Sequence, residues 1–203
     1  MASIFTVGVT AAQRERAKAR EAEMTARIVE RYGREHLNNS IKEGMGVFVG
    51  LLGEEVIQTL YNFQWSSGKD IYDYDLMDPV FLGKIDVKTK LQKWTGNPQR
   101  YFNATVCAAN TEQICDYYCF VRIRSDYELA WVLGIYPKQL FLERSSFAFR
   151  GELDPTSREE WTFSWDCYNM PIRDLWTMPQ DSAELAGIVE KAKYAEAWSA
   201  GVG

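Results

Sequence analysis

The chain has 203 residues, of which 46% are hydrophobic, 14% aromatic and 25% charged, with a formal net charge of −5. That length suits one domain, and the apolar fraction excludes wholesale disorder. The longest nearly apolar stretch, Met45 to Gly53, is too short for a membrane span, and no basic stretch precedes an apolar run at the start, so neither a membrane anchor nor a secretory leader is expected.

The expected elements begin with a capping box at Thr10 and Gln13. It opens a helix over Ala11 to Tyr32, rich in Ala, Arg, Glu and Lys. Large apolar residues appear only in its second half, at Met24, Ile28, Val29 and Tyr32. The helix is therefore expected to project at its start and dock near its end. A second helix over Ile41 to Leu60 follows from Ile41, Met45, Phe48, Leu52, Val56 and Leu60 at helical spacing. Gly44, Gly46, Gly50 and Gly53 weaken it and point to close approach by another backbone or a ligand.

After a turn at Gly68 to Asp70 the period changes to that of strands. Ile71–Leu76 and Phe81–Lys88 read as strands around an Asp78-Pro79 turn. Tyr101–Ala108, Tyr117–Arg124 and Leu129–Ile135 follow, rich in β-branched and aromatic residues. Pro137 then opens a short helix, Lys138–Glu143. Beyond a polar loop, Gly151 to Glu160, one more strand is read at Trp161–Trp165, a short helix from Pro171 to Trp176, and a last helix from Asp181 to about Trp198. The aromatics Tyr117, Phe120, Trp131, Phe141 and Trp165 read as core. Helices, then strands, then helices imply an α+β or mixed α/β domain.

Several chemistries lose their support. The four cysteines, Cys107, Cys115, Cys119 and Cys167, lack the paired spacing of a zinc site and read as reduced thiols. His36 is the sole histidine and sits in a polar stretch, so triad mechanisms have one weak candidate. Neither a P-loop nor a G-x-G-x-x-G turn is present, and no nucleotide cofactor is expected. Carboxylates, lysine and a hard metal remain.

The sharpest signal is Asp86-Val87-Lys88. Residues i and i+2 of a strand share a face, so Asp86 and Lys88 project together while Ile85 and Val87 pack behind them. Asp75 lies eleven residues earlier, with Asp73 as a second candidate on the same face. Paired carboxylates form an oxygen site for a hard divalent cation, which relieves their repulsion. Upstream, Gly50-Leu51-Leu52-Gly53-Glu54 supplies a further carboxylate from the helix, with Glu55 in reserve because it lies nearer the apolar stripe.

This sequence of a G-x-x-G-E helix, a strand aspartate and D-V-K-T-K resembles the PD-(D/E)xK nuclease superfamily, and in particular its phage-encoded and Holliday-junction-resolvase-like branches. The motifs cover residues 41 to 92, and Tyr74 stands where the family's usual proline would precede the aspartate. The resemblance implies a restriction-endonuclease-like fold, a central mixed sheet flanked by helices. Residues 1–36 would form a helical arm, and 37–203 the nuclease-like domain with a C-terminal helical extension. It implies a Mg²⁺-dependent DNA endonuclease, with Mn²⁺ as substitute. Asp75, Asp86 and the Val87 carbonyl would hold the metal. Glu54 would hold a second metal or its water, and Lys88 would orient or deprotonate the attacking water. Lys90, Lys93 and Arg100 would hold flanking phosphates, with Trp94 stacking on bases. A homodimer and a cytoplasmic location are further expectations. An exonuclease, an RNA-cleaving relative and a non-enzymatic DNA-binding or phage accessory protein are the alternatives.

The acidic balance argues at first against nucleic acid. Resolved along the chain it does not. Residues 84–100 hold Lys84, Lys88, Lys90, Lys93 and Arg100 against Asp86 alone, while residues 151–203 hold ten acidic and four basic residues.

Overall fold

A computed structural model describes residues 4–32, 45–66, 73–78, 83–156 and 161–178. The strand-forming middle of the chain builds a six-stranded mixed sheet in the order β1-β7-β6-β4-β3-β2. Its strands are β1 (Phe5–Gly8), β2 (Gln64–Trp65), β3 (Leu76–Asp78), β4 (Gly83–Gln92), β6 (Tyr117–Arg124) and β7 (Leu129–Pro137). Only β4 and β6 run parallel. A second sheet, β5-β9-β8, is made by β5 (Asn103–Cys107), β8 (Ser146–Ala148) and β9 (Cys167–Pro171). The helices are α1 (Ala11–Tyr32), α2 (Met45–Tyr61) and α3 (Lys138–Arg144). The fold is mixed α+β. No helix among the described residues is long and apolar enough to cross a membrane.

Strand alternation sorts the central sheet into two faces. Ile85 and Val87 of β4, Cys119, Val121 and Ile123 of β6, and Ala130 and Val132 of β7 pack with Leu52, Val56 and Ile57 of α2. The opposite face carries Tyr118 and Phe120 of β6 and Trp131 and Leu133 of β7. It packs on Phe141 of α3 and on Phe102, Ala104, Val106 and Met170 of the small sheet. The described residues thus form three layers with two large cores and a small third cluster of Ala148, Phe163 and Cys167, and Asp86, Lys88 and Lys90 lie on the face turned toward the small sheet.

The capping box forms as expected: Thr10 N–H donates to Gln13 Oε1 (2.8 Å) and Gln13 N–H to Thr10 Oγ1 (3.2 Å). The docking of α1 is the reverse of the expectation. Its first half is the docked half, with Gln13 and Ala17 buried, while Met24 is exposed. A small residue admits close helix approach without an apolar stripe, and arginines make the contact. Arg14 donates to the carbonyls of Val9 (3.0 Å) and Tyr127 (3.2 Å), and Arg16 pairs with Glu55 at 2.7 Å. The segment expected as an arm also supplies β1, which pairs antiparallel with β7.

Other differences have local causes. The strand expected at Ile71–Leu76 starts at Leu76, so Asp75 sits in the bend before β3. No strand forms at 161–165; a single Leu153–Thr162 bridge closes a hairpin there, and Trp165, expected in the core, is exposed. Pro171 ends β9, so the helix expected from it is one 3₁₀ turn, Ile172–Asp174. The strands β1, β2, β8 and β9 have no counterpart in the sequence reading, being two to five residues long. His36, the 68–70 turn, residues 41–44 and 71–72, Pro79, residues 157–160 and the expected helix from Asp181 lie outside the described residues.

Gly53 explains one of the helix glycines. A Cβ built on it would stand 2.0 Å from Thr89 Oγ1 and 2.9 Å from Thr89 Cγ2, so α2 rides directly on β4. Gly83 opens β4 at φ +72°, where a side chain would meet Asp116 Oδ2 at 2.6 Å. Gly53→Ala is expected to cost about 1–3 kcal/mol by overpacking. Denaturant unfolding should show a lower midpoint, and Thr89→Ala in the same chain should recover part of the loss.

Candidate active site at the fork of two strands

The site forms because β4 outruns β3. The last pair between them is Leu76 with Ile85, after which Asp75 N–H still donates to the Ile85 carbonyl at 3.0 Å. The next inward group on that edge is Val87 N–H, and it donates to the Asp75 side chain, Oδ2, at 2.7 Å. Backbone groups of a strand alternate between its two neighbours, so the Val87 carbonyl faces the same edge. A carboxylate thus continues the ladder where the strand stops.

Asp86 is 2% exposed and stands beside Asp75. Asp86 Oδ2 lies 2.6 Å from Lys88 Nζ, yet no group is aligned to donate a hydrogen bond to it. The hydroxyl of Tyr118, which is opposite Asp86 on β6, is also buried without a partner. Lys88 Nζ donates to Gln113 Oε1 as well and lies 5.6 Å from the Tyr118 ring centre. Lys138, at the start of α3, fixes Gln113 by donating to its carbonyl. The i, i+2 pair therefore projects together, as the strand pattern expects, and the ammonium is held on two sides.

Glu54 reaches the cluster from α2. It is buried, and Arg20 of α1 pairs with it at 3.0 Å. Arg20 in turn stacks over Trp65, with its guanidinium carbon 3.8 Å from the ring centre. Burial raises the Glu54 carboxyl above its ordinary range, Arg20 opposes this, and the charge of Asp86 adds to it. Asp75 is raised well above the usual carboxylate range, first by desolvation and then by the charges of Glu54 and Asp86, against which the Val87 N–H acts. Without a bound metal ion, these surroundings favour the protonated form of Asp75 more than water does. Cys115, nearby, is pushed up to about 12 by burial and by Asp86, which leaves its thiol unreactive.

The structure thus brings Glu54, Asp75 and Asp86 into mutual electrostatic range, with Lys88 paired to Asp86. Asp73 instead bridges Ile114 through its backbone, and Glu55 turns to Arg16. Among the described residues, no three His, Cys, Asp or Glu side chains are grouped as ligands of one ion. Of the residues expected to hold phosphates, Lys93 and Arg100 lie exposed in the 93–102 connection. Trp94 is 44% exposed there. Lys90 is half-buried and donates to Thr105 Oγ1 of the small sheet at 2.7 Å.

Arg20 and Gln113 escape the sequence reading. Gln113 sits in a loop without a motif. Arg20 had a signal: Gln13, Arg16, Ala17 and Arg20 share one face at helical spacing, opposite the Glu54-Glu55 pair. No known family model matches the chain, and no curated protein matches it either.

The raised Asp75 carboxyl predicts a sign for stability. The folded protein keeps a proton that the unfolded chain loses near its ordinary pKa of 3.8. Metal-free stability should therefore fall as pH rises from about 4 through the folded-state value. Asp75→Asn should flatten that fall and raise the denaturation midpoint at neutral pH in EDTA.

Proposed function

We propose that this chain is a metal-dependent nuclease of the PD-(D/E)xK type, cutting DNA through Glu54, Asp75, Asp86 and Lys88. The observation that carries the reading is the crowding of Asp75 and Asp86 at the open edge of β4, with Lys88 on the same strand face. The Asp75 carboxyl, raised by burial and by the charges of Glu54 and Asp86, destabilises the apo site, and folds retain such conflicts mainly where function needs them.

The donor chemistry suits a hard cation, although the described side chains do not already close on one point. The donors are oxygens, and Asp86 Oδ2 is buried without a hydrogen bond. Asp75, Asp86 and the Val87 carbonyl would hold Mg²⁺ or Mn²⁺. Glu54 would act on a second ion or on water only after leaving Arg20. The bound cation would supply charge neutralisation and Lewis-acid polarisation of the phosphodiester. Lys88 orients the attacking water and contributes positive charge as the phosphorane develops. Its anchors, Asp86 and Gln113, keep the ammonium at the strand edge rather than in solvent. The Arg20–Glu54 pair sets where the helix carboxylate stands.

One observation favours a non-enzymatic DNA-binding or phage accessory protein instead. The Arg20–Glu54 and Lys88–Asp86 pairs neutralise two carboxylates without any metal ion. The described surfaces give no support to a homodimer, and the proposal does not require one.

Purified protein with Mg²⁺ or Mn²⁺ is expected to cut plasmid, single-stranded or branched DNA. Asp86→Asn should abolish cutting, and Lys88→Met should slow it by about 10²–10⁴-fold. Intact substrates under all these conditions would sink the enzyme reading, and DNA binding retained in EDTA would then favour the accessory protein. Cutting of closed circles separates endonuclease from exonuclease action, and an RNA substrate tests the RNA-cleaving relative.

A further inference from the structure

Beyond the carboxylate site, the same face of the central sheet carries two cations that the catalytic reading does not use. Lys90 of β4 and Arg122 of β6 are direct partners in the parallel register. Arg122 is 8% exposed, and its Nε is buried without a hydrogen-bond partner. Its guanidinium carbon lies 5.4 Å from the ring centre of Phe102 and 5.6 Å from that of Trp94. Among the described residues, no carboxylate forms an ion pair with Lys90 or Arg122 within 4.0 Å.

Two like charges at adjacent register positions repel, and both are partly taken from water. Burial pushes Lys90 down to about 8, helped by Arg122, and Arg122 down to about 10. The pair lines a recess of about 10 Å³, closed by Asn103 and Thr105 of the small sheet and by Lys88. A space of that size accepts one oxygen-sized atom. Asp154 is the nearest counter-charge. Its charge acts on both cations, while its Oδ1 accepts from Asn103 (3.3 Å) and from Thr156 N–H (2.9 Å) and Oγ1 (2.7 Å) and it forms no ion pair with either within 4.0 Å.

We infer that the Lys90–Arg122 recess is an anion site for a phosphate of a nucleic-acid strand, one of its oxygens entering between the two cations. This rests on the nuclease reading for its place in the reaction. Successive same-face residues of a strand are about 6.6 Å apart. Lys90 is therefore two such steps, about 13 Å, from Asp86, and the strand that offers its scissile phosphate at Asp75 and Asp86 offers a phosphate about two nucleotides away to the recess. Trp94 is half open to solvent beside Arg122, and a base next to that phosphate stacks on its free surface. Arg122 is then a binding residue and Asp154 a resident competitor of the phosphate.

The test uses the full-length chain in EDTA and a short fluorescein-labelled oligothymidine, titrated over a salt series. Arg122→Gln should weaken binding about 10-fold and reduce the slope of log affinity against log salt by about 1. Arg122→Lys should keep most of the slope, because the charge stays. Asp154→Asn should tighten binding, a gain that misfolding cannot imitate. Unchanged affinity and slope in Arg122→Gln would overturn the inference. So would weaker binding with an unchanged slope, which marks a packing role, or an Asp154→Asn chain that binds no tighter. A wild-type chain that fails to bind the oligomer overturns it as well. Cutting is scored separately with Mg²⁺. A chain that binds through Arg122 but never cuts keeps the recess and loses the nuclease reading, and a chain that cuts without loss in Arg122→Gln does the reverse.

Discussion

The hydrogen bond from Val87 N–H to the Asp75 carboxylate is the contact around which the site is built. It sits where β3 ends and β4 continues, and it satisfies a strand-edge donor that would otherwise lack a partner. Satisfying it with a side chain fixes Asp75 beside Asp86. The cost is electrostatic, since two carboxyls now share a desolvated edge with Glu54 nearby. One local backbone need thus generates the charge conflict on which any cation chemistry here would draw. The surrounding packing holds the conflict in place. Gly53 lets α2 lie on Thr89 of β4, which sets how close Glu54 stands to the strand.

The three-layer arrangement makes this possible. A strand with one solvated face could not hide Asp86 at 2% exposure. Here the small sheet covers that face, while Ile85 and Val87 anchor β4 in the helix-side core. The polar residues of β4 are consequently squeezed between two sheets and must find partners there. Lys88 finds Asp86 and Gln113, and Lys90 finds Thr105. Arg122 finds two aromatic rings and leaves Nε unmatched. Buried polar groups without partners are costly, and several of those among the described residues lie along β4 and β6.

Much of this was legible in residue order. The D-V-K triplet reads as one strand face because strand geometry has period two, and β4 obeys it. The G-x-x-G-E segment reads as a helix in close contact for the same kind of reason, since a missing Cβ is informative only where something occupies its space. What could not be read depends on tertiary pairing. The start of α1 has no apolar stripe, yet it docks, because Ala17 and three arginines replace one. Strands of three to five residues, such as β8 and β9, carry too little periodicity to stand out from loop. Lys90 belongs to the same alternating set as Lys88. Nothing local says that a second sheet will cover it, because β5 and β9 come from 15 to 80 residues further along the chain.

The formal charge of −5 looks different in three dimensions. Net charge governs a partner's approach at long range, but salt screens that field within about 8–10 Å. Inside that distance the local array decides. Along β4 the array is carboxylates at one end, then Lys88, then Lys90 against Arg122, with Lys93 and Arg100 exposed beyond the strand. A polyanion laid along this line meets repulsion at the carboxylate end unless a cation is present, and attraction at every later step. On the proposed function, this order would couple nucleic-acid binding to metal binding through geometry alone. Neutralising Asp75 and Asp86 removes the one unfavourable step on the path, so each ligand should favour the other, by equal amounts in either direction.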